Sequence, residues 1–366
     1  MILQNKYMKK IKYNKSIQKK IDISLKDYIE YNQIIFEIKT AKTESKEKKI
    51  INYNANNKSF IHIYINDNKN EYNKNFIIDN KDETTKIKIV IDYKVKILKN
   101  LFKNCEYIEE INCVRFNNKY ITDMSGMFYG CRKLIKLNLL NFQTDKVIDM
   151  NSMFYGCSIL KDIKLSNFNT SNVKNIRLMF NECSSLKEIN FLNFDTKQVI
   201  DMHYFFNECY DLEKLNLFNF NTTKVIDMSY MFNECYSLNN INLLNFDTTN
   251  TTNMNYMFHH CYSLEKLYFS KSFIYKILDI NNNMFYSCKK LKEIYFPKCR
   301  CEKKTKEIYN FKPNYNLYNE FYDININNYF NAKMKHTVYL FFSNCMIQLD
   351  KLIKYQDIYD FVYKKN

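Results

Sequence analysis

Between residues 101 and 296 the apolar positions return to the same phase every 26 residues. Cysteine stands at Cys105, Cys131, Cys157, Cys183, Cys209, Cys235, Cys261 and Cys288, a spacing of 26 six times and then 27. Phe lies three residues before each, from Phe102 and Phe128 to Phe258 and Phe285, usually with Met in front of it. Three residues after each Cys comes Ile or Leu, and most units continue L-x-x-L-x-L, as in Leu134, Leu137 and Leu139. The alternation in the last part of that run places one set of side chains on the buried face of a short strand. Strands recurring at a fixed spacing predict parallel pairing between successive units, about 4.8 Å apart. Each unit then carries Asn-Phe (Asn141–Phe142 to Asn245–Phe246), a Thr, and in three units V-x-D-M (Val147–Met150, Val199–Met202, Val225–Met228). Asp or Asn before each Met is suited to N-cap a short helical turn, M-x-x-M-F-x-x-C, that returns the chain and buries Met, Phe and Cys. One unit alone exposes an apolar face, and stacking the units buries it.

A period in the twenties with L-x-x-L-x-L is the signature of a leucine-rich-repeat solenoid. The expected fold is α/β and β-rich, with a parallel β-sheet on one face and short helical turns on the other. The segments LLNFQTDKVIDMNSMFYGCSIL (Leu139–Leu160) and LSNFNTSNVKNI followed by MFNECSSL (Leu165–Leu186) resemble the BspA-like repeat. That family is also known as the bacterial surface protein 26-residue repeat, or the DUF285 Mycoplasma-type repeat. The resemblance covers about Leu101–Phe296. It implies a leucine-rich-repeat protein of a kind often found at surfaces of low-GC bacteria, and also in protists and giant viruses. For some members it implies an adhesin-like role. It carries no catalytic residues onto this chain.

Outside the repeat the pattern changes. Ile34–Lys39, Phe60–Ile65 and Lys86–Val95 alternate with period two and read as half-buried strands. The stretches Thr43–Lys49 and Asn66–Asn75 read as loops. Three parts follow: residues 1–98, a β-rich N-terminal domain with a Lys-rich tail; 99–298, a solenoid of seven to eight repeats; and 299–366, a C-terminal cap, with Pro297 marking the change. The last N-terminal strand is expected to dock on the first repeat and cover its open edge.

Charge and composition narrow the function. The chain has 366 residues and a formal charge of +16. Residues 1–100 hold 22 Lys/Arg against 12 Asp/Glu, a net of +10, whereas residues 181–270 hold 5 against 11, a net of −6. A phosphate backbone needs a continuous basic stripe, which the centre of the chain lacks, so nucleic acid is not the expected partner. The lysines of Met1–Lys20 read first as a solvated tail, and second as a contact for nucleic acid or an acidic membrane. Three glycines form neither G-x-G-x-x-G nor a phosphate loop. No stretch approaches the roughly 18–20 apolar residues that span a bilayer. No export signal is recognisable at Met1–Lys20, which favours a cytoplasmic or host-cell intracellular protein, with surface exposure as the family alternative.

The candidate chemistry is sparse. One Cys per repeat reads as a ladder of buried thiols. Cross-repeat disulfides would need an oxidising compartment, and a metal would need mixed ligands. Cys113 falls in a core position. Cys299 and Cys301 are a weak metal candidate, with no nearby His as a further ligand. His62, His203, His259, His260 and His336 read as surface residues, and no nucleophile–base set stands out. The expectation is therefore a non-enzymatic scaffold without cofactor that binds a protein. Its face would be the solvent side of the repeat strands. There the row Glu110, Lys136, Asp162, Glu188, Lys214, Asn240, Lys266, Glu293 changes sign, which suits a protein better than a polyanion. The candidate contacts are Lys136, Leu140, Glu188, Leu192, Lys214, Phe218, Leu244, Tyr268 and Tyr295. Leu140, Leu192, Phe218 and Leu244 either pack under the adjoining loop or form a contact strip. The Asn column (Asn141 to Asn245) reads as a hydrogen-bonded ladder.

Overall fold

The computed structural model describes residues 24–42, 47–52, 55–72, 77–79, 86–270, 272–273, 283–291, 293–297 and 308–311. Within them the chain is mostly β, and its sheets are open. The one described α-helix of more than a turn, α1 (Leu25–Tyr31), starts at a capping box in which Ser24 and Asp27 exchange side-chain-to-backbone bonds. There follow β1 (Ile34–Thr40), β2 (Glu47–Lys49), a 3₁₀ turn (Ala55–Phe60), β3 (Ile61–Ile65), β4 (Ile77–Asp79) and β5 (Lys86–Ile91). The repeat strands are β6 (Ile108–Phe116), β7 (Lys136–Asn138), β8 (Glu188–Asn190), β9 (Lys214–Asn216), β10 (Asn240–Leu243), β11 (Lys266–Phe269) and β12 (Glu293–Pro297). Finally, β13 (Ile308–Phe311) pairs antiparallel with β12. No helix among the described residues is long and apolar enough to cross a membrane.

The three expected N-terminal strands form, and they join the first repeats in a five-stranded sheet of order β3-β5-β1-β6-β7. The strand that docks on the repeat is β1 rather than β5, the last one. Both edges of β5 are already taken, by β3 and β1, whereas β1 offers its free edge to β6. This brings Phe36 against Phe102 and Phe142, with ring centroids 5.4 and 6.2 Å apart. One apolar core therefore runs from the N-terminal sheet through the repeats. Residues 47–49, expected in a loop, pair instead as β2 with β4.

The parallel strands are short and fall into separate sheets. β6 pairs with β7, β8 with β9, and β10 with β11 and β12. Asp162–Lys164 takes no strand conformation. Its last residue is Lys164, where the other repeats carry Asn112, Asn138, Asn190, Asn216, Asn242, Tyr268 or Tyr295.

Among the described residues the expected helical turns do not form. In the M-x-x-M-F-x-x-C segment, alternate amides bond along the stack instead of to residue i−4. Met124, Gly126, Phe128 and Gly130 donate to the carbonyls of Asp149, Asn151, Met153 and Tyr155, at 2.7–3.0 Å. The intervening amides close tight turns, as in Met127 N–H to Met124 and Cys131 N–H to Phe128. This zigzag needs two left-handed residues per unit: Gly126 and Gly130, then Ser152 and Gly156, Leu178 and Glu182, Tyr204 and Glu208, Tyr230 and Glu234. Each non-glycine there costs about 1–2 kcal/mol, offset by an inter-repeat hydrogen bond of about 1 kcal/mol net and by burial of the Met and Phe beside it. The Asp/Asn column does cap, but it caps these turns: Asp123, Asp149 and Asp227 accept the amide two residues on at 2.8 Å. The same column runs as single parallel bridges from Ile97 through Asp123 to Asn253.

The nine described cysteines are free and buried. From Cys131 to Cys288 each column thiol approaches the carbonyl of the preceding repeat's Phe, for example Cys209 Sγ to Phe180 O at 3.1 Å. The Phe rings stack face to face beside them, 5.3–5.8 Å apart. The expected C-terminal cap lies outside the described residues except for β13.

Candidate interaction surface

Four of the repeat strands, β7 to β10, turn at an asparagine. Asn138, Asn190, Asn216 and Asn242 accept, through Oδ1, the amides of Leu140, Leu192, Phe218 and Leu244 at 2.9–3.1 Å. This Asx turn rotates the next side chain out of the strand. The following asparagine fastens the carbonyl of the same residue from the next repeat. Asn219 Nδ2 donates to Leu192 O at 2.6 Å and Asn245 Nδ2 to Phe218 O at 2.9 Å. Asn141 does the same to Val114 O, at 3.0 Å. The expected asparagine ladder is thus present, and it holds both backbone groups of Leu192 and Phe218, whereas Asn167 bonds the carbonyls of Leu139 and Phe142 rather than that of Leu140.

The side chains so presented are apolar and in water. Leu140 is 56% exposed, Leu192 68% and Phe218 75%, the last being the most exposed large apolar residue described. For these three, packing under an adjoining loop is ruled out. Leu244 is only half-buried and belongs partly to the core side. Exposed apolar side chains fixed in this way lose little entropy on contact, which is what a preformed contact strip requires.

The first row flanks the strip. Glu110 bridges Lys39 at 3.2 Å and Lys136 at 3.5 Å, and the Lys39 hydrogen bond holds its carboxyl below the usual range. Glu188 and Lys214 are exposed and sit opposite each other in the β8–β9 register. Neither makes an ion pair among the described residues. Tyr268 is half-buried on β11, in register with Tyr295 on β12. These positions share one ladder face. Sequence reasoning missed a second exposed apolar row, Ile148, Ile200 and Ile226, each 45–50% exposed. The alternation Val-Ile-Asp-Met, with its buried Val and Met, was the available signal.

The turn side carries polar ladders. Asn181, Asn207 and Asn233 are buried and joined carboxamide to carboxamide at 2.5–2.6 Å, and His259 Nδ1 meets Asn233 Oδ1 at 2.7 Å. His259 therefore closes a half-buried amide ladder rather than lying on an open surface. Burial, reinforced by neighbouring His260, lowers its pKa to about 4. His203 bonds Asp201 at 2.7 Å, and His62 lies within 3.2 Å of Glu71. Tyr204, Tyr230 and Tyr256 stack 4.5–4.8 Å apart, as do Tyr210, Tyr236 and Tyr262 at 4.7–4.9 Å. Tyr210 donates to Glu208 at 2.9 Å and Tyr236 to Glu234 at 2.5 Å. These groups satisfy one another, so they serve the fold. Among the described residues no group of three or more His, Cys, Asp or Glu could hold a metal ion. Cys299 and Cys301 lie outside the described residues.

Comparison with known proteins agrees with the repeat register. The family described as "Mycoplasma protein of unknown function, DUF285" matches residues 96–214 and 187–297, together more than half of the chain. The chain is also similar to a leucine-rich repeat protein from Bacteroides ovatus of known crystal structure, at 15% identity. That similarity covers 64% of this chain and 75% of that one, with a TM-score of 0.24. No curated protein matches the chain.

Proposed function

The chain belongs to the DUF285 family, and on that premise we propose that it is a non-enzymatic leucine-rich-repeat solenoid that binds a protein along its strand face. Its working place is inside the cell. The observation that carries this reading is the pair Leu192 and Phe218, apolar, exposed and fixed at both backbone groups, with exposed Leu140 in the same row. Burying the Leu192 and Phe218 side chains would contribute roughly 1.5–3 kcal/mol each. The first row supplies charges of both signs, which select orientation in a protein contact and oppose a polyanion.

The test is affinity capture from the native cell with wild type, Leu192→Asp/Phe218→Asp and Tyr268→Ala/Tyr295→Ala. The first pair is expected to lose its partner by at least ~10-fold. Unchanged recovery of every captured protein with both pairs would refute this face. Adhesion at a surface is the second reading, favoured by the BspA-like character of the repeat. Fractionation decides between them, since a protein found wholly outside the cytoplasm would overturn the intracellular placement.

A further inference from the structure

The strip carries a pattern at its centre that points to one partner. The two most exposed large apolar side chains among the described residues, Leu192 and Phe218, lie on adjacent repeats. On the same two repeats stand Glu188 and Lys214, paired in register across β8 and β9. Each repeat of this pair therefore offers one apolar side chain and one charge, and the two charges are opposite.

We propose that this patch joins two copies of the chain, face to face, about a two-fold axis that runs parallel to the strands between β8 and β9. This rests on the reading of the strand face as a contact surface and names its occupant. Such an axis reverses the order of repeats while keeping each row opposite itself. It sets Leu192 of one copy on Phe218 of the other, twice, and Glu188 of one copy on Lys214 of the other, twice. The contact is isologous, as most soluble homo-oligomers require. Axes through either strand of this patch fail on charge, and an axis between β6 and β7 would need Glu110, which Lys39 and Lys136 of its own chain already hold. Through β8 it would place Glu188 on Glu188, and through β9 Lys214 on Lys214. One repeat outward, the axis between β8 and β9 sets the small Ser166 opposite the half-buried Leu244, which leaves room. Two repeats outward, Lys136 faces Lys266, which confines the attraction to the centre. The interface is therefore small, and the dimer is one of modest affinity.

The experiment is sedimentation velocity on the full chain from about 1 μM to about 1 mM, a range that brackets small interfaces. Wild type is expected to pass from monomer to dimer within it. Phe218→Asp and Glu188→Lys each weaken the dimer by at least ~10-fold, because like charges then face each other or a carboxylate is buried. The double reversal Glu188→Lys/Lys214→Glu returns the affinity to within about threefold of wild type, because the swap restores both pairs only if a second copy is the partner. All four positions are exposed, so unchanged circular dichroism and thermal midpoint confirm folding. A monomer at every concentration, or a double reversal as weak as the single one, would overturn the proposal. If wild type stays monomeric while Leu192→Asp/Phe218→Asp loses a captured cellular protein, the contact face stands and the second copy does not.

Discussion

Replacing Thr196 by Val should destabilise the protein far more than replacing Thr248 by Val, although both side chains are equally buried. Thr196 Oγ1 donates to Asn221 O at 2.9 Å and accepts from Asn221 N–H at 2.7 Å, so one hydroxyl clamps two repeats together. The same clamp joins Thr144 to Asn169, Thr170 to Asp195 and Thr222 to Asp247. Val keeps the shape and removes both bonds, leaving the Asn221 amide and carbonyl without that partner. At about 1–1.5 kcal/mol for each bond, plus the desolvation of groups left unpaired, the loss is about 2–4 kcal/mol. That is roughly a 30- to 1,000-fold shift of the unfolding equilibrium. Thr248 ends the column. Its hydroxyl is buried with no hydrogen-bond partner, because the next repeat departs from the pattern and Ser272 takes the Thr248 amide instead. There Val removes an unpaid desolvation, and the change should be neutral or stabilising by about 1 kcal/mol. Urea titrations followed by circular dichroism measure both. Equal losses at the two sites would refute the argument that the clamp, rather than packing, holds the column.

Further outcomes follow from the same geometry. The column thiols should resist a thiol-specific reagent in native protein at pH 8 and react together on unfolding. Burial pushes Cys105 up to about 12 and raises the other column cysteines with resolved shifts as well. A reagent count under native and denaturing conditions checks this. The same raised values mean that the unfolded chain ionises first, so stability should fall as pH rises above about 9. His259 acts in the acid direction. Its folded pKa of about 4 lies below the usual 6.5, so the unfolded chain binds the proton first and stability is lost as pH falls from 6.5 towards 4. His259→Asn continues the amide ladder, and it should flatten the thermal midpoint across that window relative to wild type.

The repeat was legible because stacking demands the same side chain at the same place. The Cys, Phe, Leu and Asn columns are each buried or bonded once per repeat, and the sequence repeats them. The turn geometry was not legible. Met-Phe-Cys at these spacings satisfies a helical face as well as a zigzag, and only Gly126, Gly130 and Gly156 marked the left-handed positions that decide between them. Leu178, Tyr204 and Glu208 hide the same conformation behind ordinary side chains. The choice of β1 as the docking strand depended on which edge was free, a property of the whole sheet. His259 looked like a variable surface position because its ladder partners are Asn, and only space shows that a ring nitrogen continues a row of carboxamides. For Leu140, Leu192 and Phe218 the sequence left open whether they pack under a loop or face water. Exposure separates the two, and a hydrophobic column in a repeat does not reveal it by itself.

The zigzag of amides has an electrostatic direction. Within each Met-to-Cys segment of the turn side the inter-repeat N–H groups point to the repeat that follows, so these peptide dipoles add, and only the amides flanking the segment, such as Ile148 and Ser185, donate to the repeat that precedes. The ribbon is in this respect a helix laid along the stack, with its positive end towards the C-terminal repeats and its negative end towards the first. The acidic balance of residues 181–270, 5 Lys/Arg against 11 Asp/Glu, stands nearer the positive end, where it is stabilised. The charge of the later repeats thus complements a field that their own backbone creates.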